Sequence, residues 1–314
     1  MNWGQSGVAL FFMITGFLFA LKARSPSLDW KRLYASRVAR LYPLYVLLIL
    51  VVFSLAIATR DGGSQESIGR LADEFVAWLA FGQPDINAQP MSWTMIAGVN
   101  WSLRYEAGFY VFGVPLLYLF AKQFSPHRRA ALSCLALLAV LVWSAREGRM
   151  GGSVQYVTHF LCGISVAYLS DIPRSRAVIA HRYFRMAAAA ALAWLLCTQT
   201  HANNWRAVLA STAVFAAVVG GASGFGLLRT RAAIWLGDVS YGIYLLHGLT
   251  LWSLWTATCR FADPRAIGAL PFFLAMGAGV AAVCLLASLT YLRIERPAMQ
   301  RWGGPHASAR PRPI

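Results

Sequence analysis

Long apolar segments separated by short polar connections are the dominant feature of this chain, and nine of them approach the length of a membrane span. A helix needs roughly 20 predominantly apolar residues to cross the hydrocarbon core of a bilayer. The pattern therefore predicts an all-α, polytopic transmembrane helix bundle with nine spans. Their approximate limits are Gly7–Leu21, Tyr42–Ala58, Tyr105–Ala121, Ala130–Ala145, Val154–Ser170, Met186–Thr200, Ala207–Gly224, Ile234–Ala257 and Gly268–Leu292.

The longest polar connection, about Thr59–Arg104, carries a different pattern. Within Leu71–Gly82, the apolar residues at 71, 75, 78 and 79 approximate one helical face. This stretch is too short and too charged to span, so it predicts an interfacial helix. Trp93 and Trp101 follow it, and they fit two roles: anchoring at the membrane interface or lining a substrate site.

Composition supports the same class of protein. Hydrophobic residues make up 58% of the chain and charged residues only 13%, whereas soluble domains average about 25% charged. The net charge of +16 is better explained by basic membrane loops than by nucleic-acid binding. The five cysteines show no CxxC or Cys/His ligand spacing, so we expect small apolar packing residues and no metal site.

Basic residues are distributed unevenly between the two sides of the predicted bundle. Alternate loops and the chain end hold 20 of the 28 Lys and Arg residues, which predicts a cytoplasmic C-terminus. Nine spans then place Met1 outside, so either a short N-terminus is translocated or a preceding helix is missing from this sequence. We expect one membrane domain over residues 1–302 and a disordered cytoplasmic tail, Gly303–Ile314, rich in Pro and Arg.

Two patterns near helix ends are candidate sites. Arg37 and Arg40 share a helical face and could hold a phosphorylated donor, because the guanidinium binds phosphate bidentately; ordinary membrane anchoring is the competing interpretation. Glu106 begins an apolar run shortly after Trp101 and Ser102. An ionisable residue there indicates a functional site, or else a local pair with Arg104.

A third pattern enters the eighth predicted span. Ser240, Tyr244 and His247 are spaced i, i+4 and i+7, which places them on one helical face. His247 could transfer protons, or it could be a packing residue between helices. His159 has a similar position near the outer end of the fifth span.

These patterns together resemble the acyltransferase-3 family of bacterial integral-membrane O-acyltransferases. The resemblance runs from the first residues to about Trp302. It rests on Gly-Val-x-Leu-Phe-Phe-x-x-x-Gly-Phe-Leu from Gly7, Arg-x-x-Arg-Leu-Tyr-Pro from Arg37, Trp-Ser-Leu-x-x-Glu from Trp101, Ser-Tyr-x-Ile-Tyr-Leu-x-His from Ser240, and the terminal Glu295-Arg296-Pro297.

The resemblance implies ten helices and an inner-membrane enzyme. Its donor would be a cytoplasmic acyl-CoA, usually acetyl-CoA, serving as co-substrate with no resident cofactor. Its acceptor would be a hydroxyl of an exported or cell-surface carbohydrate or a lipid-linked glycan. By this likeness Arg37 and Arg40 match the arginine pair associated with the CoA donor, Trp101, Ser102 and Glu106 match the outer-loop motif, and Ser240, Tyr241 and His247 match the late-helix motif. We therefore predict donor binding by Arg37, Arg40, Ser240 and Tyr241, acceptor binding by Trp101 and Ser102, and catalysis by Glu106 and His247. His159, from its position alone, is a further predicted acceptor-binding residue.

Two departures bear on the chemistry. The family's first helix carries a basic residue and the His regarded as its catalytic base, and this sequence begins after that point. Position 9 is Ala where the family commonly has an acidic residue. Either the start codon is misplaced, which we favour, or the protein is truncated, or the base is Glu106, His159 or His247. A glycan or lipid transporter or flippase, and a non-catalytic remnant, are the alternative functions.

Overall fold

The computed structural model describes residues 3–59, 65–147, 152–198, 204–261, 263 and 268–302. Within those ranges every regular element is helical, which confirms the predicted all-α class. The α-helices are α1 Trp3–Ala23, α2 Trp30–Ala58, α3 Ile68–Leu79, α4 Asn100–Gly108, α5 Val114–Gln123, α6 Pro126–Glu147, α7 Val154–Leu169, α8 Pro173–Ala180, α9 Arg182–Thr198, α10 Trp205–Val219, α11 Arg231–Phe261, α12 Ala269–Thr290 and α13 Arg296–Trp302. Short 3-10 turns cover Ser92–Ile96 and Leu227–Arg229, and π-helical turns cover Phe109–Gly113 and Tyr291–Glu295.

Each of the nine predicted apolar segments contains helix in the described residues, and the third is divided between α4, a π turn and α5. The seventh, predicted to end at Gly224, is helical only as far as Val219. Four helical stretches there are long and apolar enough to cross a membrane: Gly4–Ala23, Trp30–Ala58, Pro126–Glu147 and Ala269–Trp302. Helices α7 and α10 are shorter and apolar. The chain is thus a multi-pass membrane protein, and the number of nine crossings stays a prediction. The predicted tail, Gly303–Ile314, lies outside the described residues.

Helix α2 begins twelve residues before the apolar segment predicted for it. Asp29 is its N-cap and accepts a hydrogen bond from the backbone N–H of Arg32 at 2.9 Å, which satisfies an otherwise unpaired amide. With 29 residues the helix is about 44 Å long, well beyond the roughly 30 Å hydrocarbon core. Its arginine-bearing first turns therefore precede the apolar segment in a helix longer than a perpendicular crossing requires.

The predicted helix in the long polar connection is confirmed as α3, and its apolar face packs on α2. Phe53 of α2 meets the ring of Phe75 at 5.3 Å and that of Trp78 at 6.3 Å between centroids. Tyr45 donates a hydrogen bond to the carbonyl oxygen of Trp78 at 2.7 Å. Trp78 is completely buried, so this aromatic face contacts protein.

The chain forms two compact units. The first contains Met1–Leu28 and Tyr105–Arg229. Here α1 and α7 approach closely. A Cβ atom on Gly16 would collide with the carbonyl oxygen of Phe160, and one on Gly163 would collide with that of Met13. The expectation that the cysteines are packing residues holds for the buried Cys162 of this unit, whereas Cys197 and Cys259 are exposed.

The second unit contains Asp29–Arg104 and Thr230–Ile314. Its helix α11 packs against the 3-10 turn Ser92–Ile96, and a Cβ atom on Gly248 would collide with the backbone of Ile96. This glycine lets α11 approach the residues that precede α4. The prediction of a single domain over residues 1–302 stays a prediction.

Candidate active site

The second unit joins two of the sequence-predicted motifs through Tyr244 of α11. The Tyr244 hydroxyl lies 2.8 Å from Ser102 Oγ and donates to the carbonyl oxygen of Val99 at 3.0 Å. Ser102 Oγ is itself 3.1 Å from that carbonyl. Ser102 is buried and Tyr244 half-buried, so these hydroxyls fix the start of α4 against α11.

His247 lies next to Tyr244, one helical turn further along α11. Its Nδ1 is 2.6 Å from the backbone carbonyl oxygen of Tyr244. A carbonyl oxygen only accepts hydrogen bonds, so Nδ1 carries the proton in this contact. In the neutral imidazole with this tautomer, the other ring nitrogen, Nε2, is the acceptor that a general base requires.

A second cluster surrounds Arg40 in the same unit. Tyr241 is buried, and its hydroxyl donates to the carbonyl oxygen of Leu41, the residue after Arg40, at 2.6 Å. The Arg40 guanidinium donates to Met299 Sδ of α13 at 3.9 Å. Helices α2, α11 and α13 therefore converge on this arginine.

Glu295 completes this cluster at the end of the π turn that follows α12. It is completely buried, and neither carboxylate oxygen has a hydrogen-bond partner among the described residues. A Cβ atom on Gly242 of α11 would lie 3.2 Å from Glu295 Oε1, and the charge of Arg40 acts on this carboxylate. A buried unpaired carboxylate is costly, and π turns are frequent at functional sites.

Other predicted residues of this unit lie around the two clusters. Arg37 is half-buried on α2, and its Nε is 3.5 Å from Ser36 Oγ. Trp101 is half-buried at the start of α4. Ser240 is exposed and donates to the carbonyl oxygen of Gly237 in its own helix at 2.8 Å. The structure thus brings together Ser102 with His247 through Tyr244, and Arg40 with Tyr241.

Glu106 and His159 belong to the first unit. Glu106 is buried and accepts a hydrogen bond from the hydroxyl of Tyr110, one turn further along. His159 of α7 is buried, and its Nδ1 has no hydrogen-bond partner among the described residues. Both side chains are therefore removed from water, and their roles stay predictions.

Helices α4 and α7 contact each other beside these two side chains. The rings of Tyr105 and Tyr156 are 4.5 Å apart, and the rings of Phe109 and Phe160 stack at 4.3 Å. Glu106 follows Tyr105, and His159 precedes Phe160. The acid and the imidazole therefore come from two packed helices of one unit.

Sequence reasoning gave no role to Glu295, Met299 or Tyr110. An acid in the last turn of an apolar run was the signal for Glu295, because ionisable residues in membrane segments indicate function. Nothing in the local sequence marks Met299 or Tyr110, since their importance arises from contacts made by packing. In the part of the chain that the structure describes, no three His, Cys, Asp or Glu residues group as metal ligands.

Fold and site together define a multi-pass helical membrane protein. It has one cluster around Arg40 and a second cluster formed by Ser102, Tyr244 and His247. The chain belongs to the acyltransferase-3 family: the family model, described as an acyltransferase domain, matches residues 1–289. The family resemblance predicted from the motifs is thereby confirmed.

A relative and the solved structures complete the comparison. The chain is similar to the protein named acyltransferase MdmB of Streptomyces mycarofaciens, with 32% identity over 149 residues. That match covers 44% of this chain and 34% of the relative, so it spans about a third of the relative's length. No solved structure matches the chain.

Proposed function

We propose that this protein is a membrane O-acyltransferase that moves an acyl group, most simply acetyl, from acyl-CoA to a hydroxyl of an exported or cell-surface carbohydrate. The observation that carries the proposal is the Nδ1 contact of His247 with the Tyr244 carbonyl oxygen at 2.6 Å. It leaves Nε2 as a base for an acceptor hydroxyl. Membership of the acyltransferase-3 family supports acyl transfer as the reaction.

The proposed step needs one base and an activated acyl donor. His247 Nε2 takes the proton of the sugar hydroxyl while the hydroxyl oxygen attacks the thioester carbonyl carbon. The tetrahedral intermediate then collapses, the carbon–sulfur bond breaks, and the departing CoA sulfur takes the proton from the imidazolium. Ser102 and Trp101 stand near the start of α4, and we assign them to the acceptor.

We propose that the donor binds near Tyr241, at the opposite end from His247 of a short stretch of α11. Tyr241 and His247 are six residues apart on one helix, a rise of about 9 Å. Arg40, held by α13 and adjacent to the Tyr241 hydrogen bond, supplies a guanidinium for the CoA phosphates. Arg37, one turn earlier on α2, would add a second positive charge. We also assign Ser240 to binding of the acyl-CoA.

The proposed setting is a bacterial inner membrane with the C-terminus in the cytoplasm. The uneven distribution of basic residues supports this orientation, because it places the Arg37 and Arg40 turns on the side where acyl-CoA is made. The lipid bilayer, acyl-CoA and the glycan are the partners that we propose.

The test uses purified protein in lipid nanodiscs, with acetyl-CoA as donor and release of free thiol as the measurement. We expect His247→Ala to lower kcat by about 10²–10⁴-fold, the usual contribution of a general base. Arg40→Ala should instead raise the KM for acetyl-CoA by roughly tenfold, as expected for the loss of a charged hydrogen bond. Lys31→Ala, at an exposed position in the first turn of α2, is the matched control.

A companion measurement is the acetyl content of the host polysaccharide in a deletion strain carrying each variant. Glu106→Ala and His159→Ala enter the same series, because each is an alternative base. If His247→Ala fully restores the acetyl content and Glu106→Ala does not, the general base lies in the first unit. Absence of donor turnover by the unaltered protein, with glycan movement across vesicles, would favour a transporter.

A further inference from the structure

Three helix ends of the first unit place two arginines beside a buried tyrosine. Arg24 follows α1, Arg129 lies in the first turn of α6, Tyr168 lies in the last turn of α7, and Asp171 comes three residues later. None of them belongs to the proposed acyl-transfer site. All of them lie at segment ends bordering the arginine-rich loops.

The charged groups of this cluster do not balance. Arg24 forms an ion pair with Asp171, in which both side chains are partly exposed. The guanidinium carbon of Arg129 is 5.5 Å from the ring centroid of Tyr168, a cation–π contact. Two guanidiniums and one carboxylate leave a net charge of +1 at these helix ends.

Two buried donors of the cluster have no acceptor among the residues that the structure describes. Arg129 is only 8% exposed, and its Nε has no hydrogen-bond partner among the described residues. Tyr168 is completely buried, and its hydroxyl likewise has no partner in that part of the chain. Buried donors are normally satisfied, and each unsatisfied one costs about 1–3 kcal/mol.

The electrostatics of Arg24 agree with an excess of positive charge. Burial lowers the pKa of the Arg24 guanidinium, and the charge of Arg129 lowers it further, while Tyr168 acts in the opposite direction. The two cations therefore repel each other across the cluster. An anion between them would relieve this repulsion.

We propose that Arg129 and Tyr168, together with Arg24, form a binding site for a phosphate group. A phosphate has several acceptor oxygens, so it can accept from Arg129 Nε and the Tyr168 hydroxyl at once and still face Arg24. Two sources share this chemistry: the headgroup of an anionic phospholipid and a soluble phosphate ester. The site is independent of the proposed function, because its test measures binding and not acyl transfer.

The experiment measures thermal unfolding of the full chain in two arms. In the first, phosphatidylcholine nanodiscs contain increasing fractions of phosphatidylglycerol. In the second, inorganic phosphate is titrated into protein in pure phosphatidylcholine nanodiscs, with chloride at equal ionic strength as the reference. Binding to the folded state raises the midpoint in proportion to ligand occupancy. A shift in the first arm alone identifies a lipid headgroup, and a shift in the second alone identifies a soluble phosphate.

Four variants decide between a binding site and ordinary packing. Arg129→Gln should weaken binding by about tenfold or more, and Tyr168→Phe by roughly fivefold, because each removes one donor. Asp171→Asn should tighten binding, since it removes the carboxylate that repels an anion. Arg128→Gln is the matched control, because Arg128 is exposed beside Arg129, and its binding should equal that of the unaltered protein.

The outcomes are separable from a failure to fold. No midpoint shift in either arm for the unaltered protein overturns the proposal, as does an equal shift in Arg129→Gln. If Arg129→Gln does not fold, unchanged binding in both Tyr168→Phe and Asp171→Asn also overturns it. Asp171→Asn is informative because a purely structural ion pair would lose stability on this change without gaining affinity for phosphate.

Discussion

Tyr244 contacts its neighbours through both its side chain and its backbone. Its hydroxyl contacts Ser102 and the Val99 carbonyl, whereas its backbone carbonyl accepts from His247 Nδ1. The side chain therefore holds the start of α4 against α11, while the backbone carbonyl favours the imidazole tautomer with the proton on Nδ1. These two effects can be separated by mutation.

Tyr244→Phe removes the hydroxyl and keeps the carbonyl. We expect kcat for acyl transfer to fall by less than about tenfold, because one hydrogen bond contributes roughly 0.5–1.5 kcal/mol and the base is retained. His247→Ala should lose far more. Thiol release from acetyl-CoA measures both, and equal losses in the two variants would contradict a base role for His247.

Glu295 lies in an environment that is unfavourable for its charge. It is buried without a hydrogen-bond partner among the described residues and lies where the charge of Arg40 acts on it. We expect Glu295→Gln to raise the KM for acetyl-CoA several-fold while kcat changes little, because the negative charge of this carboxylate acts on Arg40, the residue that we assign to the donor.

The control for Glu295→Gln is Arg293→Gln, at an exposed position in the same π turn. Thermal unfolding of both variants tests folding separately from activity. A fall in kcat at unchanged KM would show that Glu295 acts on the reaction and not on Arg40.

At the scale of elements, the closest helix contact that we describe joins α1 and α7. Gly16 and Gly163 remove the side chains that would separate these helices. Small residues at such crossings let membrane helices approach closely. The contact also sets how Phe12 of α1 meets Phe160 of α7, with ring centroids 4.6 Å apart.

Gly16→Ala is therefore expected to destabilise the protein by about 1–3 kcal/mol, the usual effect of overpacking. Gly7→Ala is a matched control on the same helix, because a Cβ atom there meets nothing within 4 Å. Replacing Gly7 with alanine should leave the stability of the protein unchanged or raise it slightly. Thermal unfolding in nanodiscs compares the two, and similar midpoints would contradict the close crossing.

Helix α3 and the segment after it are held by a buried carboxylate. Glu74 accepts a hydrogen bond from the backbone N–H of Asn87 at 3.0 Å. Burial raises the pKa of the Glu74 carboxyl, and the neighbouring Glu66 raises it further, while Asn87 and Arg70 act in the opposite direction. The folded state thus favours the protonated form of Glu74.

The raised pKa of Glu74 predicts how the stability of the protein changes with pH. A raised folded-state pKa contributes stability at low pH that is lost as the pH rises through that pKa. The Glu74→Gln side chain stays neutral and keeps an acceptor for the Asn87 backbone N–H. We therefore expect this variant to lose the pH dependence of stability that Glu74 contributes. Thermal midpoints across acid to neutral pH measure it, with Asp73→Asn as control; equal pH profiles for the two variants would contradict the assignment.

For the whole molecule, charge rather than packing indicates orientation. Basic residues concentrate in alternate loops and at the chain end, which favours a cytoplasmic C-terminus. A fluorescent protein fused after the last residue should therefore fluoresce, and alkaline phosphatase at the same place should be inactive. Alkaline phosphatase joined after Gln83, in the long connection that we predict to lie outside, should be active. The reverse pattern would contradict the orientation.

Local features of the sequence were sufficient for some of the site and not for the rest. The spacing of Tyr244 and His247 predicted a shared helical face, and the two side chains do meet. Ser240 has the same spacing, yet it is exposed and bonds within its own helix, because helical periodicity does not reveal which part of a face is covered by a neighbour. The contact of Arg40 with Met299 spans 259 positions, so no local pattern predicts it.

Hydrophobicity alone determined the class of protein, because apolar segments of this length and number can be buried only in lipid. The sequence also determined family membership through motifs that are each local. Tertiary structure decided which residues act together: the contact of Ser102 with Tyr244, the buried position of Glu295 and the pairing of Arg129 with Tyr168 all depend on contacts between helices distant in sequence. Such contacts arise from side-chain packing and hydrogen-bond satisfaction, which are properties of the assembled bundle.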